Sequence, residues 1–220
     1  PTTKKPLWID TIPHGAIVEL QKQFDADQAN AEEKRKQGKM VAFLGSVTFQ
    51  KGPEYFVETA KKVMEYDPEV RFVLAGDGDM MTRIILRVAE LGIADRFHFT
   101  GFLSGADIDT LFGMSDVYVM PSISEPFGIS PLEAMRAHVP VVISKQSGVS
   151  EILKYAIKVD FWDIDATADA IYGILHYPAL AKIFAEKGKE EVNNLKWEYV
   201  AKKLKQIYEK VLENQQFPKS

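Results

Sequence analysis

The chain alternates short apolar runs with longer segments whose apolar residues recur every three or four positions. A short apolar run is typical of a strand buried on both faces of a parallel sheet, and the longer spacing is typical of an amphipathic helix. The runs predict six strands, at residues 40–44, 70–75, 96–100, 116–120, 139–143 and 156–159. The spacing predicts helices at 53–66, 79–91, 106–114, from 131 onward, and at 165–176, 178–194 and 197–214.

This alternation predicts an α/β fold: a single Rossmann-like, doubly wound sheet of six parallel strands with extra C-terminal helices. The expected strand order is 3-2-1-4-5-6, and a ligand should bind at the carboxyl ends of strands 1 and 4, where the order reverses. The first loop (45–52) and the second loop (121–130) are therefore the candidate site.

The chain divides into three predicted segments. Residues 1–38 contain prolines and many charged residues and predict a linker. Residues 39–195 predict the ligand-binding domain, and residues 196–220 a C-terminal helix and tail.

Composition excludes several classes of function. The chain of 220 residues has no cysteine, which excludes a disulfide framework, a thiolate nucleophile and a cysteine metal site. Its net charge of −4 argues against a nucleic-acid partner. No apolar run approaches the roughly 18 residues of a membrane span, so we expect a cytoplasmic protein without a transmembrane segment.

The first loop reads Gly45-Ser46-Val47-Thr48-Phe49-Gln50-Lys51-Gly52. It lacks the G-x-G-x-x-G pattern of nicotinamide and flavin sites, and it is not a Walker A loop. Glycines at both ends and a lysine where a helix begins indicate contact with phosphate. A surface turn with a solvated Lys51 accounts for the same residues equally well.

The second loop contains one carboxylate, Glu125, and Pro131 then begins a helix that carries another, Glu133. The free N–H groups of a helix start can bind an anion, and Ser130 is a plausible N-cap. Each carboxylate also suits the positive end of a helix without any ligand.

The same stretch carries a family resemblance. Glu125-Pro126-Phe127-Gly128, then Glu133-Ala134-Met135, then Pro140-Val141-Val142, resembles the E-x7-E signature of retaining GT-B glycosyltransferases of family four (group 1), the glycogen-synthase-like enzymes. The resemblance covers about residues 39–213 and is to the C-terminal, donor-binding half of such an enzyme. Residues 12–15, Ile-Pro-His-Gly, resemble the segment that follows the crossover from the N-terminal domain.

The resemblance implies roles for individual residues. Glu125 would be catalytic, stabilising positive charge at the reacting sugar, and Glu133 would bind the ribose hydroxyls. Ser46 stands where the family has an arginine, which removes one cation from the donor site. The implied donor-binding residues are Gly45, Ser46, Lys51, Leu103, Phe127, Gly128, Ile129 and Glu133.

The implied activity is transfer of a hexose, with glucose as the first choice. The donor would be a UDP-, ADP- or GDP-sugar, which is a substrate and not a cofactor. No cofactor and no metal are implied. The acceptor site would belong to an N-terminal domain. The apolar face of helix 197–214 could dock on that domain, or the helix could simply be the last helix of the core. We expect the chain alone to bind nucleotide without turnover. The alternatives are a non-catalytic nucleotide-binding or assembly module, and half of an epimerase or phosphorylase of the same fold.

Overall fold

The computed structural model describes residues 38–195 and 197–214. Its strands are β1 Met40–Leu44, β2 Arg71–Ala75, β3 Phe97–Gly101, β4 Val117–Met120, β5 Val141–Ser144 and β6 Ile157–Val159. Its α-helices are α1 Pro53–Tyr66, α2 Met81–Glu90, α3 Ala106–Met114, α4 Ser130–Arg136, α5 Ile164–His176, α6 Pro178–Asn194 and α7 Trp197–Asn214. The predicted linker, apart from Gly38, and the segment 12–15 lie outside the described residues.

The six strands form one parallel sheet in the order β3-β2-β1-β4-β5-β6, which confirms the predicted topology. The order reverses where β1 pairs with β4, with Val41 opposite Val117. At the amino end of this pair, the Met40 amide donates to the Asp116 carboxylate over 2.8 Å. The Asp116 amide returns a bond of 2.8 Å to the Met40 carbonyl.

Alternate residues of the central strands pack into different apolar clusters, as the period of two in a strand requires. Val117 and Val119 of β4 lie in a cluster with residues of α1, α2 and α5. Tyr118 and Met120 lie in another cluster with residues of α3, α4 and α6. The sheet is therefore covered on both faces, which explains why its strands read as continuous apolar runs.

The apolar spacing of α2 predicts that Ile84, Ile85 and Val88 face the core. Ile84 and Val88 are buried, but Ile85 is 45% exposed. The apolar stripe of α7 is not core either, because Leu204 and Ile207 are 50% and 51% exposed. Among the described helices, none combines the length and apolarity that crossing a bilayer would need.

Helix α4 ends in a conformation that normally selects glycine. The His138 amide donates to Met135 over 3.1 Å and the Val139 amide to Ala134 over 2.9 Å, the bonding pattern of a Schellman motif. The motif requires a left-handed residue, and His138 has φ of 61°. A side chain with a Cβ is strained in that region, so His138 destabilises the helix end.

We expect His138→Gly to raise the free energy of unfolding by about 1 kcal/mol, because glycine removes the Cβ penalty of the left-handed region. The lost contact between His138 Nε2 and Lys189 Nζ, 2.6 Å apart, is exposed and costs little. Urea denaturation of both proteins measures the difference. His138→Ala is the control, since alanine keeps the strain, and an equal gain in that variant would contradict the explanation.

The advantage of His138→Gly should also grow as the pH falls. Burial and the neighbouring Lys189 lower the pKa of His138, so the unfolded chain takes up a proton at a higher pH than the native protein does. Wild-type stability therefore declines below about pH 6.5, whereas the glycine variant lacks this loss. Urea titrations at about pH 8 and about pH 5 test the sign.

Candidate functional site

The first and second loops meet at the carboxyl ends of β1 and β4, as the topology predicts. The amides of Ile123 and Ser124 both donate to the Gln50 carbonyl, over 2.9 and 3.3 Å. Gly52 has φ of 65°, and a Cβ added there would collide with the Pro121 carbonyl oxygen. The backbones of the two loops are thus in direct contact, which only glycine at position 52 allows.

The second loop is also held on its other side, by the segment after β5. The Gly148 amide donates to the Glu125 carbonyl over 2.9 Å, and the Val149 amide donates to the Phe127 carbonyl over 2.8 Å. Glu125 pairs with Ser147 in an isolated parallel bridge. Backbone bonds on both sides therefore fix the position of Glu125.

Lys51 and Glu125, predicted from separate loops, form an ion pair between Nζ and Oε2. The Glu125 side chain is only 10% exposed and that of Lys51 is 29% exposed. A carboxylate so far removed from water needs a partner for its charge. The structure thus joins the catalytic candidate to the cation of the first loop.

Gly128 lets the chain turn beside Glu125. Its φ is 97°, and an added Cβ would lie 3.2 Å from Met120 Sδ and 3.3 Å from Glu125 Cγ. The second loop therefore wraps closely around the Glu125 side chain, a fit that any larger residue at position 128 would disturb. Phe127 and Ile129, on either side, are 42% and 65% exposed.

Tyr118 is a site residue that the sequence reading missed. Its fully buried ring places the hydroxyl 3.1 Å from the Leu44 carbonyl oxygen and 2.8 Å from Ser130 Oγ. The phenol thus connects the end of β1 to the start of α4. Burial raises the pKa of Tyr118, and the charges of Glu125 and Glu133 raise it further, against the lowering effect of the Ser130 bond. Both carboxylates therefore act on the same buried hydroxyl.

The sequence contains one signal for this role of Tyr118. A tyrosine lies in a strand that is predicted to be buried, and a buried phenol normally has a hydrogen-bond partner. The expectation that Ser130 caps α4 is wrong, because the cap position is Ile129, whose backbone is already helical. An N-cap needs an extended backbone from which its side chain can reach back to free N–H groups. The Ser130 hydroxyl bonds to Tyr118 instead.

Glu133 lies on the wall of a separate pocket, between the first turn of α3 and α4. The pocket has a volume of about 490 Å³ and is lined by Gly105, Ile108, Asp109, Glu133, Arg136 and Ala137. This volume is typical of small-molecule sites. Lys51 and Glu125 are not part of its lining, so the predicted site comprises an ion pair and a separate pocket.

The other predicted donor residues are placed less favourably for a ligand. The Gly45 amide donates to the Ala75 carbonyl over 3.0 Å and is therefore already used. Ser46 is exposed. Leu103 packs its side chain against an apolar cluster around Ala42 and Leu111, which leaves backbone contact as the role predicted for it.

We expect Tyr118→Phe to lower the free energy of unfolding by about 1–2 kcal/mol, because the partly buried Leu44 carbonyl and the Ser130 hydroxyl lose a shared partner while the ring keeps its packing. Urea denaturation of the variant and of the wild type measures this cost.

Ser130→Ala provides the matched comparison for Tyr118→Phe. It removes only one of the two bonds and should cost less, and the double variant should cost less than the sum of the two single changes. Strict additivity would show that the two hydroxyls do not interact.

Comparison with known proteins identifies the family. The model of the family described as "Glycosyl transferases group 1" matches residues 24–191. An uncharacterised glycosyltransferase of Methanocaldococcus jannaschii is 34% identical over 186 residues, which are 80% of this chain and 46% of that protein. The chain spans about half the length of the curated relatives it matches.

Solved structures share the fold. The C-terminal domain of a group 1 glycosyl transferase (LpcC) from Francisella tularensis is 22% identical, with a TM-score of 0.68 over 76% of this chain and 91% of that domain. HepE of Anabaena, crystallised with UDP-glucose, is 21% identical, with a TM-score of 0.66 over 82% of this chain and 48% of that protein. The chain therefore belongs to the group 1 glycosyltransferases and has the fold of the C-terminal domain of a GT-B enzyme.

Proposed function

We propose that this chain is the donor-binding half of a retaining hexosyltransferase that takes its sugar from a nucleotide diphosphate sugar. One observation carries the proposal: Lys51 and Glu125 form an ion pair at the carboxyl ends of β1 and β4, and Glu133, on the helix that follows the second loop, lines a pocket. Lys51 and Glu125 come from separate parts of the sequence, and the sheet topology alone does not require their side chains to meet.

Lys51 is the group that we assign to the donor diphosphate. An ammonium on a four-carbon stem can follow a phosphate group as it arrives. Ser46 supplies no charge where related enzymes are expected to have an arginine, and one missing charge-assisted bond is worth about 1.5–3 kcal/mol. We therefore expect a donor affinity below that of an enzyme with both cations.

Glu133 and its pocket suit the nucleoside. A carboxylate accepts hydrogen bonds from two neighbouring hydroxyls, as a ribose presents them. The lining combines Ile108, which offers apolar contact, with the charged Asp109 and Arg136. A pocket of about 490 Å³ can hold a nucleoside.

Glu125 is placed to act on the sugar. Its carboxylate is largely shielded from water, so its charge acts strongly on a positive centre that develops nearby. An oxocarbenium-like transition state is such a centre. Glucose is the sugar we put first, since the structural neighbour from Anabaena was crystallised with UDP-glucose.

The acceptor site belongs, in this proposal, to a second domain. Three apolar side chains project from loops at the carboxyl edge of the sheet: Phe102, Phe127 and Ile129 are 80%, 42% and 65% exposed. Exposed apolar side chains at the edge where a ligand binds are consistent with a surface that another domain covers. The match to about half of each relative supports the same conclusion.

A second candidate function is a non-catalytic nucleotide-binding module. Ser46 favours this function, because it leaves one cation fewer to bind the diphosphate. A protein that has lost catalysis can still keep such a weaker nucleotide-binding site. The two candidates differ in what a complete enzyme containing this chain would do, namely transfer sugar or only bind nucleotide.

Calorimetry with UDP-, ADP- and GDP-glucose tests the proposal. We expect one of them to bind, and Glu133→Ala to weaken that binding about tenfold or more, because the ribose loses a charge-assisted bond. Glu209→Ala, which removes an exposed carboxylate on α7, is the control and should leave affinity unchanged.

Two results would count against the proposal. Absence of binding for all three sugars at millimolar concentration would remove the donor site. Sugar transfer by the 220-residue protein alone would contradict its being half of an enzyme.

A further inference from the structure

The proposed function gives Lys51 and Glu125 different ligands, a diphosphate and a sugar, yet the structure binds them to each other. We propose that Glu125 has a second role: it holds the Lys51 ammonium in the position of a counter-ion, and an incoming diphosphate must displace it. This inference rests on the proposed function and concerns how its donor site is filled.

The backbone around the pair makes this competition direct. Glu125 is fixed by bonds on both sides of the second loop, and the Gln50 carbonyl, next to Lys51, accepts two amides of that loop. The loops therefore cannot separate easily to break the pair. The lysine stem is the flexible part, and its side chain is 29% exposed, so an anion from solvent can reach the ammonium.

Few other groups of the first loop are free to bind the diphosphate. The amides of Gly45, Val47 and Thr48 donate to protein carbonyls over 2.9–3.0 Å. Ser46 carries no charge, and Lys51 is the single cationic residue of the first loop. The Glu125 carboxylate and the diphosphate therefore compete for the same Lys51 ammonium.

The exchange links donor binding to catalysis. When the diphosphate binds the Lys51 ammonium, the Glu125 carboxylate loses its counter-ion. Its negative charge is then no longer neutralised and can stabilise positive charge on the sugar. No covalent bond forms or breaks and no proton moves; the diphosphate replaces the Glu125 carboxylate as the hydrogen-bonded anion of the Lys51 ammonium. The ion pair lowers affinity for the diphosphate, because part of the binding free energy is spent on separating two partly buried charges.

The test is to remove the charge of Glu125 and keep its shape. We expect Glu125→Gln to bind inorganic pyrophosphate and UDP about tenfold more tightly than wild type, the opposite of what loss of a binding residue gives. Calorimetry at fixed salt measures both affinities, and thermal melting checks that the variant folds. Glu125→Asp, whose shorter carboxylate pairs less well, should give a smaller gain and replaces Glu125→Gln if that variant does not fold.

Two further variants separate the ion pair from a general charge effect. Glu54→Gln also removes a carboxylate close to Lys51 in the sequence, but Glu54 pairs with Arg83, so pyrophosphate affinity should change by less than about twofold. In a Lys51→Met background, Glu125→Gln should bring no comparable gain.

The outcomes separate this inference from the proposed function. Equal or weaker pyrophosphate binding by Glu125→Gln, a similar gain in Glu54→Gln, or no pyrophosphate binding in either wild type or Glu125→Gln would overturn the counter-ion role. If pyrophosphate follows the expected pattern while no nucleotide sugar binds, the counter-ion role stands and the proposed function fails.

Discussion

The pairing of β1 with β4 is the constraint on which the candidate site depends. The two strands run parallel, and α1 after β1 and α4 after β4 pack into different clusters, while the loops that lead into these helices meet at the carboxyl ends of the strands. Asp116 fixes the amino end of this pair, and the Tyr118 hydroxyl bonds to Leu44 at the carboxyl end. Both ends of the pair are thus held by side chains of β4 or of the residue before it, which fixes where the two loops begin.

Charge balance decides which ligand the site can bind. Lys51 and Arg136 supply two positive charges, whereas Glu125, Glu133 and Asp109 supply three negative charges, so the site has more negative than positive side chains. A diphosphate adds further negative charge, and a site that is only partly screened from water still has to compensate it. An arginine at position 46 would have eased this balance. With serine there, the competition for Lys51 is the dominant electrostatic feature of the site.

The sequence predicted the sheet order and most helix bounds, because apolar periodicity reports burial of whole elements and is insensitive to the detail of any contact. It could not predict the Lys51–Glu125 pair, whose members are 74 residues apart and meet only after the sheet forms. The prediction that Ser130 caps α4 is wrong because capping depends on backbone angles that composition does not reveal. Periodicity alone does not show whether other elements cover an apolar stripe such as that of α7. Only the structure shows that this stripe is exposed.

Tyr118 shows how packing and chemistry are combined in one side chain. Its ring fills the space among Phe112, Met120 and other core residues, so the fold needs a large apolar group there. A phenylalanine would meet that need, but only a hydroxyl can join Leu44 to Ser130. Because Ser130 begins the helix that carries Glu133, and Leu44 precedes the loop that carries Lys51, that bond sets the distance between the pocket and the ion pair. A ligand spanning both would depend on that distance, since small displacements between binding groups weaken binding steeply.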